Sequence, residues 1–165
     1  MSSKWEVSRT TAEEFVERYG PDVHRAARLY TGDSALAEDV AQEVLIAAVH
    51  ALHLIREPSR WLARVTHNKA LNALRAQGRR HEVPLIEWCD SPVDDPADLY
   101  EERDVVEAVQ ELAIPLREVV VLHYYEGWTP KQIGHLLGLP AGTVRSRLHR
   151  ARGALRSMLA GGEKE

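Results

Sequence analysis

The sequence predicts an all-α protein, two small helical domains joined by a flexible acidic linker, with a helix-turn-helix in the C-terminal one. Three observations carry this. Apolar residues recur at helical spacing between Gly, Pro and capping residues. The charge falls into alternating blocks, and residues 129–159 read as two helices around a Gly-Leu-Pro break. The 165-residue chain has a net charge of −4, and this total hides the division. Arg56–His81 holds seven basic residues and one acidic, Glu82–Glu111 one basic and eleven acidic, and Trp128–Ser157 six basic and none acidic. Two basic modules flank an acidic tether, and the boundaries read as 1–81, 82–100 and 101–165.

In chain order, Thr11-Ala12-Glu13-Glu14 has the form of a capping box, and Phe15, Val16 and Tyr19 give the helix after it an apolar side. Gly20-Pro21 is expected to stop that helix, with a second short one over Asp22–Thr31 ending at Gly32. Asp33-Ser34 then caps a longer helix running to about Leu54. Ala37, Val40, Val44, Ala47, Ala48 and Ala51 face its core, whereas the opposite arc holds Glu38, Asp39, Gln42, Glu43 and His50 together with Ile46 and Val49. Glu38 and Asp39 suit the helix dipole. Apolar residues set among acidic ones on an exposed arc suggest a surface for a basic protein partner.

Pro58 is placed to begin the next helix, from about Ser59 to Ala76, with Leu62, Ala70, Ala73 and Leu74 buried. Its other face lines up Trp61, Arg64, Val65, Asn68, Asn72 and Arg75, followed by Arg79 and Arg80. Trp61 alone reads as core, since large aromatics are mostly buried. The full set suits single-stranded or distorted nucleic acid: rings and guanidinium planes stack on bases, amides read base edges and arginines hold phosphates.

From Glu82 to about Tyr100, three prolines and the run Asp94-Asp95-Pro96-Ala97-Asp98 carry no sustained period, as expected of an extended tether. Helical pattern resumes over Leu99–Leu112 and again over Leu116–Tyr125 after Pro115. Thr129 and Pro130 supply a cap and first-turn residue for the first helix of the helix-turn-helix, whose apolar side is Ile133, Leu136 and Leu137. The second helix starts near Pro140. Val144, Leu148, Ala151, Ala154, Leu155, Met158 and Leu159 share one arc, and Arg145, Ser146, His149, Arg150, Arg152 and Arg156 the opposite one. A merely solvated basic helix usually carries Glu for i,i+4 pairing, and this one has none. Arg147 falls beside the apolar arc and is expected to touch phosphate or the first helix rather than a base edge.

Other classes are excluded. No run of about 18 apolar residues suggests a membrane span, and the N-terminus has no cationic-then-apolar signal, so the expected place is cytoplasmic, with no membrane insertion. The lone Cys89 cannot form an internal disulfide. The eight His residues are scattered, which favours surface or helix-end roles over a metal site. There is no HExxH, Gly-rich phosphate loop or nucleophile motif. The expectation is a protein that is not an enzyme, without cofactor, metal or small-molecule substrate.

Three strings, AEDVAQEVLIAA at 37–48, RWLARVTHNKALNALRAQGRR at 60–80 and LREVVVLHYYEGWTPKQIGHLLGLPAGTVRSRLHRARGALR at 116–156, strongly resemble the extracytoplasmic-function (ECF) sigma factors, compact members of the sigma-70 family of bacterial RNA polymerase subunits. They stand in the family's order, with its acidic linker between. The resemblance implies that Asp39, Gln42, Glu43 and Ile46 bind the core polymerase. It implies that the helix from Trp61 melts the −10 promoter element with Arg64, Asn68, Asn72, Arg75, Arg79 and Arg80, Asn68 capturing a flipped base. It further implies that Arg145, Ser146, His149 and Arg150, with Thr143 and Arg147 beside them, read the −35 element, and that an anti-sigma factor restrains the protein. The loop His53–Arg60 is shorter than usual for the family and lacks its common Phe or Tyr.

The alternative is a stand-alone dimeric helix-turn-helix regulator that binds DNA without polymerase. It leaves the face around Asn68 and the acidic tether without a purpose.

Overall fold

The computed structural model describes residues 4–78 and 102–161, all helix and short connections with no strand among them. Arg79, Arg80, Cys89 and the tether 82–100 lie outside the described residues. The chain divides into two units, Met1–Gln77 and Gly78–Glu165.

In the first unit α1 (Lys4–Thr31), α2 (Ser34–His50) and α3 (Pro58–Ala76) pack on one another. The expected break at Gly20-Pro21 is absent, and α1 is one helix with Pro21 inside it. Proline has no amide hydrogen for the Glu17 carbonyl, a real cost to a helix interior. Burial outweighs it here: Phe15, Val23, Ala26, Ala27, Leu29 and Tyr30 are all in the core, on both sides of the proline. Gly20 is buried inside the helix with the Leu45 side chain beside it, and makes no turn there. The chain then turns at Gly32, and the buried Thr31 hydroxyl donates to the Ala27 carbonyl at 2.9 Å.

Asp33 caps α2 as expected, its carboxylate accepting from the amides of Ala35 (2.9 Å) and Leu36 (3.2 Å). The helix stops at His50, and the stretch expected to extend it, Leu52–Leu54, forms a tighter 3₁₀ turn. α3 begins on Pro58 and buries Leu62, Ala63, Thr66, His67, Ala70, Leu71 and Leu74. His67 departs from the expected surface or helix-end role. It lies in the core with its ring edge-on to Tyr30, centroids 5.7 Å apart.

In the second unit α4 (Glu102–Glu111) and α5 (Ile114–Val120) support α6 (Pro130–Leu137) and α7 (Ala141–Gly161). Arg117 is buried and donates through Nη2 to the carbonyls of Gln110 and Leu112, the latter at 3.0 Å, which satisfies the end of α4. The helix expected over Leu116–Tyr125 instead widens after Val120 into a π-type turn, Val121–Tyr125, where the Glu126 amide reaches back to the Val121 carbonyl at 3.0 Å. His123 Nδ1 donates to the Trp128 carbonyl at 2.7 Å and holds the chain entering α6.

Candidate nucleic-acid and polymerase interfaces

The helix-turn-helix is specified residue by residue. Thr129 and Gln132 form a reciprocal capping box, with the Thr129 amide donating to Gln132 Oε1 at 2.9 Å and the Gln132 amide to Thr129 Oγ1 at 3.2 Å. Gly138 ends α6 with φ 69°, a left-handed conformation that only glycine adopts freely. The Leu139 amide returns to the Gly134 carbonyl at 2.9 Å, and a Cβ on Gly134 would collide with the Leu139 carbonyl. The tight angle between α6 and α7 therefore depends on glycine at 134. Val144, Leu148, Ala151, Leu155 and Leu159 anchor α7 in the core, each large side chain contributing about 1.5–3 kcal/mol.

With that face buried, the opposite face of α7 points outward. Arg145 is exposed, and Thr143, Ser146, His149 and Arg150 are half-buried around it. The Ser146 hydroxyl donates to the Gly142 carbonyl at 3.0 Å, leaving its lone pairs to accept from an incoming donor. Arg147 is drawn elsewhere: its guanidinium meets Glu118 of α5 at 3.8 Å, with the two side chains only 25% and 13% exposed. The expected contact with the first helix of the motif is thus replaced by one with α5. Arg152, grouped with the outward face, is bound to Tyr124: its Nε donates to the tyrosine hydroxyl and its guanidinium carbon lies 5.3 Å from the ring centre. Sequence reading missed this pair, because wheel positions locate a residue on its own helix and carry no information about which other segment lies against it.

In the first unit, one face of α3 exposes Arg64, Asn68, Asn72 and Arg75, with Trp61 and Val65 half-buried at its centre. Trp61 is thus neither fully core nor a free platform. Asn68 Oδ1 is 3.2 Å from His67 Nδ1, so the buried histidine steadies the exposed amide. On α2, Asp39, Gln42, Glu43, Ile46, Val49 and His50 are exposed, Ile46 by 59%. Leu54, 71% exposed, follows in the 3₁₀ turn. Apolar side chains this open on an acidic face are what a protein-binding surface requires. Among the described residues no group of His, Cys, Asp and Glu could hold a metal ion, and no helix is long and apolar enough to cross a membrane.

Comparisons with known proteins follow this division. Residues 15–80 match the family model for sigma-70 region 2, and residues 102–155 that for sigma-70 region 4. The ECF RNA polymerase sigma factor SigE of Mycolicibacterium smegmatis is 34% identical over 157 residues, covering 90% of this chain and 61% of that protein. SigL of Mycobacterium tuberculosis, also an ECF RNA polymerase sigma factor, is 34% identical over 143 residues, covering 82% of this chain and 81% of that one. The chain thus spans less than two thirds of the SigE relative and most of SigL. Among solved structures, CnrH in complex with the cytosolic domain of CnrY superposes with a TM-score of 0.61 at 28% identity, covering 93% of this chain and 90% of CnrH. RpoE of Bartonella quintana, in complex with the anti-sigma factor NepR, superposes with a TM-score of 0.66 over 90% of this chain and 96% of RpoE; at 20% identity it speaks for the fold alone.

Proposed function

Because the chain belongs to the ECF sigma factors of the sigma-70 family, we propose that it binds bacterial core RNA polymerase, recognises the −35 and −10 elements of promoters and directs their opening. The observation that carries this reading is the pairing of two different surfaces on the first unit. An acidic face with open Ile46 and Val49 lies on α2, and a basic face with open Asn68 and Asn72 lies on α3. A stand-alone repressor needs neither.

In this reading residues 1–81 dock on the core through Asp39, Gln42, Glu43 and Ile46. Trp61, Arg64, Asn68, Asn72 and Arg75, with Arg79 and Arg80 beyond the described residues, engage the −10 element. Extruding a base costs a few kcal/mol of stacking, which amide hydrogen bonds and ring contacts offset. Residues 101–165 read the −35 element through Arg145, Ser146, His149 and Arg150, with Thr143 beside them. Arginine forked on guanine is the largest specific term, about 1–3 kcal/mol for each good pair. Arg147, with its carboxylate partner, contributes to the fold more than to the DNA. The chain performs no chemistry, which belongs to the polymerase, and it works in the cytoplasm.

An anti-sigma factor is the expected restraint: the sigma factor RpoE of Bartonella quintana was solved with the anti-sigma factor NepR, and CnrH with the cytosolic domain of CnrY. Full activity in cells lacking any co-encoded inhibitor would refute that part. The function itself is tested by adding the purified chain and core polymerase to fragmented genomic DNA of its source and sequencing the transcripts. Their 5′ ends are expected downstream of one shared pair of motifs at fixed spacing. Ends that match those made by core alone would overturn the assignment.

A further inference from the structure

Tyr124, in the turn Val121–Tyr125, and Arg152, near the middle of α7, are 28 residues apart and meet through a hydrogen bond and a cation–π contact. We propose that this pair is a phosphate anchor: Tyr124 holds the Arg152 guanidinium so that its terminal nitrogens grip one backbone phosphate of duplex DNA lying along α7. The inference rests on the DNA-binding reading above and extends it to a site that reading does not use.

The contrast with Arg147 gives the reason. Arg147 is answered by a carboxylate, Glu118, on a seam where both side chains are largely buried, so its charge is spent inside the fold. Arg152 is oriented by a phenol, which carries no charge and neutralises nothing. Only Nε is committed to it, and Nη1 and Nη2 have no partner among the described residues. Those two nitrogens form the fork that fits two oxygens of a phosphate. Tyr124 is itself 39% exposed, and its hydroxyl, accepting from Nε at the end of the guanidinium away from the fork, fixes the plane in which the fork is presented.

Position favours phosphate over base. Arg145, His149, Arg152 and Arg156 lie within an arc of about 60° on α7, and Arg152 is about 10 Å along the axis from Arg145. If the N-terminal turns of α7 meet base edges, a residue two turns later lies where the helix leaves the groove. A guanidinium tethered to the supporting turn also cannot extend inward. Its contact would be independent of sequence and would fix how deeply α7 sits, the positioning role that phosphate contacts play.

The test uses the full chain and a fluorescein-labelled, mixed-sequence duplex of about 30 base pairs, with binding followed by anisotropy from about 50 to 200 mM KCl. Arg152→Gln is expected to lower the slope of log K against log salt by about 0.9, one phosphate contact. Tyr124→Phe keeps ring and charge and is expected to leave the slope in place while weakening binding about threefold to tenfold, the loss of one orienting hydrogen bond. Arg152→Lys should behave like Tyr124→Phe, because it retains charge without the fork. An unchanged slope in Arg152→Gln, or wild-type affinity in Tyr124→Phe, overturns the anchor. A merely structural pair would lower the melting temperature and leave the slope alone, which also overturns it. Arg145→Gln separates the two levels: if it weakens binding while Arg152→Gln does not, the DNA-binding reading stands and the anchor falls. If the wild type shows no salt-dependent binding, the reading beneath it falls too.

Discussion

Glu43 of α2 and Lys69 of α3 form an ion pair of 3.8 Å, with side chains 66% and 34% exposed. It joins the acidic face to the helix that carries Asn68. A pair this open contributes at most about 1 kcal/mol. We therefore predict that Glu43→Gln shifts the melting temperature by no more than about 4–8 °C while lowering affinity for core polymerase severalfold. A large loss of stability with unchanged core affinity would make Glu43 a structural residue.

Asn68→Ala removes an exposed amide and its bond with His67 Nδ1, and leaves the edge-on contact of the His67 ring with Tyr30. Promoter opening is expected to fall by about 1–3 kcal/mol, roughly fivefold to 150-fold, with core binding unchanged. Opening is read by permanganate reactivity of unpaired thymines, core binding by co-sedimentation. Loss of core binding would mean that Asn68 serves the fold.

Gly134→Ala drives a methyl group against the Leu139 carbonyl. Backbone cannot yield as a side chain does, so the second unit should lose about 1–3 kcal/mol and its duplex binding. Circular dichroism melts of the isolated variant and wild type check this, and an unshifted melt would show that the turn opens without cost.

Arg147→Gln and Arg145→Gln should part company. The first breaks the pairing with Glu118 in a sheltered seam and is expected to cost about 1 kcal/mol or more of stability. The second, exposed, should leave stability within about 0.5 kcal/mol and weaken DNA binding. Equal melting temperatures with equal DNA affinities would remove the distinction drawn between the two arginines.

What the sequence reveals depends on how local the cause is. Asp33, Thr129, Pro130 and Gly138 act within one helical turn, and the ends they set on α2 and α6 are legible from residue type alone. The apolar arc of α7 is equally legible, since periodicity fixes which face is buried. Pro21 misleads because the local penalty is read first, whereas burial of Phe15 on one side and Val23 to Tyr30 on the other decides the outcome. The π-type turn after Val120 has no periodic signature. The partners of Arg147 and Arg152 are tertiary facts: both arginines are conspicuous in the sequence, but nothing in it tells which of them faces a carboxylate and which a phenol.

The central claim, that this chain is a polymerase subunit, is tested most directly by co-elution with bacterial core RNA polymerase on a sizing column, beside a variant reversed in charge at Asp39 and Glu43. The account predicts that the wild type elutes with the core and the variant elutes alone. A wild-type chain that runs apart from the core as a dimer would contradict it and turn the first unit into a dimerisation module.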